Sequence, residues 1–223
     1  MRLLLAVAVA TFGLAIAPSA DWVARGVPGV CPPFCDAIPD AAWIAPASVP
    51  LYSVYRWPGL AGLAVTAPSP RFGFEAMCSS APVADDPRAY AVASRSVVLH
   101  PEGQWNLLVQ VIHWRGPTAT GGPTATSTLE TARSRLQECQ STVAAASPSV
   151  TTDDGTRVVA VISDAGHRVM HEYLLVDPSS STVVELAMWS SLPAKVDWPP
   201  VADAQVLDAM AAPLCSAYLG SCR

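Results

Sequence analysis

After Tyr90 the pattern of apolar and polar positions changes period several times, and each period predicts an element. In WNLLVQVIHW (residues 105–114) Leu107, Val109 and Val111 alternate with Asn106, Leu108 and Gln110, which puts one clearly apolar face toward a core. YAVASRSVVL (90–99) is similarly rich in β-branched and aromatic residues, and the HPEG between them supplies a proline and a glycine for a turn, so the pair predicts a β-hairpin. His113 falls on the apolar face and reads as a hydrogen-bonded core residue.

The period then shifts to that of a helix. Leu129, Ala132, Leu136, Cys139, Val143 and Ala146 recur at spacings of three and four, and Ser127 with Glu130 forms a Ser-x-x-Glu capping box at the expected start. Pro148 is expected to end this helix. Ahead of it, GPTATGGPTATST (116–128) contains Gly-Pro-Thr-Ala-Thr twice. It lacks the lysine of a phosphate-binding P-loop and reads as a mobile crossover loop.

Three strand-like runs follow: RVVAVIS (157–163), RVMHEYLLV (168–176) and TVVELAMWS (182–190). Their connectors, DAGH and DPSSS, are short enough to force antiparallel neighbours and so a three-strand meander. A last helix begins near Val201, with Val206, Met210 and Leu214 along one face; Pro213 should kink it or start a second short helix. The sum is an α+β fold: an antiparallel sheet of five or more strands, from a hairpin and a meander, with helices mainly on one face.

Composition adds an N-terminal arm. Nine of the 21 prolines lie between Pro28 and Pro70, where missing backbone donors disfavour a packed helix or central strand. Residues 21–70 are therefore expected to wrap as an irregular arm over an α+β domain of residues 71–223. Its aromatics, Trp43, Tyr52, Tyr55 and Trp57, either plug the edge of the core or line a groove, and they are the ligand-binding candidates.

The first 20 residues read as a secretory signal peptide: Arg2, an apolar run of about 15 residues, then small residues. The run is short of the roughly 20 needed to span a bilayer, so no stable membrane insertion is expected after cleavage. No cysteine stands at its end to accept a lipid. Export places the six cysteines in an oxidising compartment, and the four-residue step from Cys31 to Cys35 fits neither a zinc knuckle nor a thioredoxin-type dithiol. Spacing favours bridges 31–35, 78–139 and 215–222. Removing Arg2 leaves 12 basic against 18 acidic residues, a net charge of −6, which argues against a nucleic-acid partner.

Candidate chemistry is sparse. There is no Gly-x-Ser-x-Gly elbow. HRVMHE (167–172) has two histidines four apart, but its glutamate follows the second one, unlike a zinc-protease helix. Asp153 and Asp154 beside Gly155 lack the further ligands of a calcium loop. No catalytic residue, metal site or cofactor is assigned. A divergent hydrolase assembled only in the fold would draw on His113, His171 and Glu172.

With the helical segment ARSRLQECQ (132–140) and its mid-helix cysteine, the element order over roughly residues 50–220 resembles conserved secreted proteins of unknown function from mycobacteria and other actinobacteria. Those are related in architecture to PknH-type extracellular sensor domains and Mog1/PsbP-like lipoproteins. The use of arginine at every basic position but Lys195, with abundant Ala, Val and Pro, fits a high-GC bacterial genome. The resemblance implies a sensor-like, extracytoplasmic module that binds an envelope ligand or protein, and it carries over no catalytic residue.

Overall fold

Strands that are covered on both faces read as nearly continuous apolar runs, and the three runs after residue 156 do so because each face of the sheet carries its own core. A computed structural model describes residues 35–219 and 221. The expected leader, Cys31 and Cys222 lie outside the described residues. In chain order the elements are α1 (Tyr52–Tyr55), β1 (Val65–Thr66), α2 (Gly73–Met77), β2 (Val92–Val98), β3 (Asn106–His113), α3 (Thr118–Thr142), β4 (Ala146–Asp153), β5 (Arg157–Asp164), β6 (Arg168–Asp177), β7 (Thr182–Ser191) and α4 (Asp203–Ala217). Short 3-10 turns link several of them.

All strands join one seven-stranded antiparallel sheet in the order β1-β2-β3-β7-β6-β5-β4. The hairpin and the meander fuse because β3 pairs with β7, from Asn106 opposite Trp189 to His113 opposite Thr182. Helix α3 then carries the chain from β3 to β4 at the far edge. Helical residues lie mainly on one face, where α2 and α3 pack on Ile112, Val158, Ile162, Leu174 and Val183. The other face takes α4 and residues 38–60, over Leu107, Val109, Tyr173, Leu186 and Met188.

Three details depart from the sequence expectation. The crossover stretch is not a loop: α3 begins at Thr118, nine residues ahead of Ser127, which lies inside the helix. Gly121 and Gly122 serve close packing there. A Cβ on Gly121 would come within 2.5 Å of the Ser181 hydroxyl, and one on Gly122 within 2.7 Å of the Pro178 carbonyl. The helix also ends early, at Thr142, so that Ala146 and Pro148 belong to β4. β4 is an edge strand, where a missing amide donor is tolerated, and Pro148 pairs with Ile162. Helix α4 runs through Pro213 without starting a second helix.

Cys78, at the end of α2, is bonded to Cys139 on the inner face of α3, with Cα atoms 4.9 Å apart, inside the usual range for a bridge. Cys35 and Cys215 are also disulfide-bonded; Cys31 and Cys222, the partners that spacing assigns them, lie outside the described residues. Among the described residues no helix is long and apolar enough to cross a membrane.

Candidate functional site

The face under α2 carries an unusual set of polar side chains for a sheet interior. Register aligns Arg95 of β2 with Gln110 of β3 and Gln110 with Glu185 of β7. Glu172 of β6 sits two residues from Leu174, the partner of Glu185, and therefore points to the same face. Gln110, Glu172 and Glu185 are completely buried. Glu185 accepts hydrogen bonds from the Gly73 amide and the Gln110 side-chain amide. Gly73 is the residue that permits this approach, because a Cβ there would stand 3.2 Å from both the Ala187 Cβ and the Glu185 carboxyl.

Glu172 and Glu185 lie together under Gly73, where a Cβ would stand 3.6 Å from one carboxyl and 3.2 Å from the other, and burial raises both. Two buried carboxylates this close cannot both ionise, so the pair shares a proton. Burial together with the Glu185 charge keeps the proton on Glu172, while burial pushes Glu185, which accepts from Gly73 and Gln110, up to about 7. Glu75, close by in α2, behaves oppositely. Burial alone would raise it, but Arg88 forks onto its carboxyl at 2.6 and 3.0 Å and Arg135 binds it at 2.8 Å, which holds it below the usual carboxylate range. Arg88 also binds Asp86. This ion network ties α2 to α3 and leaves a cavity of only about 30 Å³ beside it.

Directly outside Gly73 the surface opens into a cleft of about 340 Å³. Three arginines, Arg71, Arg95 and Arg168, line it, and Phe72, Met77, Leu108, Met170 and Trp189 supply its apolar wall. Arg95 donates to the Gln110 side-chain oxygen at 3.2 and 3.3 Å and to the Arg71 carbonyl at 2.9 Å, all neutral acceptors. The acid pair lies beneath the cleft floor and is sealed from it. Both carboxyls are completely buried and neither lines the cleft, so a molecule held there does not touch them.

The aromatic candidates of the arm are on the opposite face. Trp43 and Trp57 are buried in the core, and Tyr52 and Tyr55 pack half-buried against it. Trp57 donates its indole N–H to the Pro50 carbonyl at 2.7 Å, and Tyr55 stacks on Trp57 at 4.8 Å while accepting a hydrogen bond from the Trp105 amide. The structure brings these two rings together against His100 and Trp105 at the β2–β3 turn, and none of the four lines the cleft.

His113, His171 and Glu172 are not brought together. Neighbouring positions on a strand face opposite ways, so His171 points away from Glu172. His113 and His171 pair with Thr182 and Met188, six residues apart along β7, or roughly 20 Å. His113 stacks on Tyr218, and His171 lies flat against Trp198 at 3.6 Å, where burial pushes it down to about 4. His167 falls in the β5–β6 turn. No group of three or more His, Cys, Asp or Glu among the described residues could hold a metal ion.

Arg71, Arg95, Arg168 and Glu185 are the residues that sequence reading missed. Their signal was present in part: Glu185 interrupts TVVELAMWS at an inward position, as Glu172 does in RVMHEYLLV, and an acid inside an apolar run calls for a partner. No family description, curated protein or solved structure matches the chain.

Proposed function

We propose that the chain is an exported, disulfide-stapled, non-enzymatic module that binds a small ligand of the cell envelope in the cleft beside α2. One observation carries this reading: an open cleft of about 340 Å³ joins three guanidinium groups to an apolar wall, the combination of shape and few placed polar groups that ligand sites use. The bridge between Cys78 and Cys139 supports an oxidising compartment. The apolar run at the N-terminus supports export, and the element order supports the likeness to actinobacterial secreted and sensor-like domains.

A secreted hydrolase is the second reading, and the Glu172–Glu185 pair is the feature that favours it, since paired acids with divergent proton affinities serve general acid–base chemistry. Their complete burial beneath Gly73 favours binding instead.

The test uses the full chain expressed with its own leader. N-terminal sequencing of the exported protein should begin at Ala20 or Asp21, and intact Met1 in membrane fractions would overturn export. Native mass spectrometry of protein from the culture medium should show a retained mass that disappears on denaturation. Its absence in every preparation would count against a tight-binding module.

A further inference from the structure

We propose that the cleft takes an anionic amphiphile, with a carboxylate or phosphate head held among Arg71, Arg95 and Arg168 and an apolar tail laid along Met77, Leu108, Met170 and Trp189. This rests on the binding reading above. It follows from how the arginines are partnered. Away from the cleft, Arg88, Arg115, Arg133, Arg135 and Arg157 each hold a carboxylate at 2.6–2.9 Å, and Arg56 lies over the Tyr52 ring. In the cleft, Arg71 is 3.9 Å from Glu75, Arg168 is 3.8 Å from Asp164, and Arg95 bonds only neutral oxygens. Both longer distances exceed a hydrogen bond.

None of the three guanidinium groups lining the cleft is thus hydrogen-bonded to a carboxylate, Arg71 donating to the Ser80 carbonyl at 2.6 Å instead, in a protein whose net charge is −5. A carboxylate or phosphate is the group their planar forks fit, by paired charge-assisted bonds. The side chains of Arg71 and Arg168 are 45% and 48% exposed, so they are reachable from solvent. Between them and the sheet, the methionines offer an adaptable apolar surface and Trp189 a half-buried ring. The volume lies at the small end of ligand pockets, so the head and the first part of the tail fit and the rest emerges through the open mouth.

Isothermal titration of the mature chain tests this with four probes below their micelle concentrations: decanoate, decyl phosphate, decyl maltoside and inorganic phosphate. The two anionic amphiphiles should bind at least about tenfold tighter than either the neutral amphiphile or the bare anion. Tighter decanoate identifies a fatty-acid-like ligand, and tighter decyl phosphate a phosphorylated lipid; either supports the proposal. Arg168→Met, at the exposed rim, and Arg95→Met, deeper in, should each lower anionic binding about tenfold with Arg115→Met unchanged, and matching thermal unfolding of the variants checks that they fold. Decyl maltoside binding as tightly as the anions, indifferent to Arg95, would overturn the acidic head while leaving a binding module. Inorganic phosphate binding as tightly as decyl phosphate would overturn the tail. No binding by any probe overturns the proposal, and together with no retained mass it removes the binding reading as well.

Discussion

Glu75, Glu172 and Glu185 lie on the same side of the sheet, all three buried, and differ in protonation because of what surrounds them. Glu75 has two arginines; Glu172 and Glu185 have each other. A carboxyl whose proton affinity is raised on folding contributes its full stability below the unfolded value, near 4.5, and loses it as pH rises through the folded value. For Glu185, raised to about 7, the loss between these pH values is about 3 kcal/mol. The buried histidines work the other way. His113 and His171 are held low by burial, so their share of stability rises with pH up to about 6.5. The parent curve is therefore a composite, and the difference from a variant isolates the acids. Glu172→Gln keeps the shape and a donor to Glu185 but holds no titratable proton. Its stability relative to the parent should rise steadily from pH 4.5 to pH 8 in urea unfolding, because only the parent carries the raised Glu172. A constant difference across that range would mean that folding does not raise Glu172.

At the scale of elements, α3 shows how packing reverses a local preference. Gly→Ala gains about 1 kcal/mol in an exposed helix. Gly122→Ala should instead destabilise by about 1–3 kcal/mol, because its Cβ meets the Pro178 carbonyl at 2.7 Å and the β6–β7 connection has to move. A gain in melting temperature would show that the helix start is loosely docked. The same residues explain what was legible in the sequence. Strands β5, β6 and β7 were readable because their period and turns agree, and Cys139 because it falls on the face of Leu129, Ala132 and Leu136. Gly121, Gly122 and Pro123 read as breakers since nothing local reports that Ser181 and Pro178 lie against them. Pro148 likewise hid β4, as edge position is a property of the whole sheet. The cleft arginines come from α2's approach, β2 and the start of β6, and no spacing along the chain connects them.

For the molecule as a whole, the sheet separates two tasks. One face buries Trp43 and Trp57 of the arm together with α4, and it holds the fold. The other carries α2, pinned by the Cys78–Cys139 bridge and by Arg88, next to the cleft. That bridge closes 61 residues, worth about 4 kcal/mol in the chain-entropy model. The double variant Cys78→Ala with Cys139→Ala should lose about that much in equilibrium unfolding. A loss confined to ligand affinity, with stability intact, would mean that the bridge positions α2 without stapling the fold. The most direct measurement for a cleft-binding module is an amide chemical-shift map of the mature chain titrated with decyl phosphate. The largest shifts should cluster at Arg71–Met77, Arg95, Leu108, Met170 and Trp189 and be absent at Tyr52, Tyr55 and Trp198; shifts centred on that second set, with the cleft silent, would contradict it.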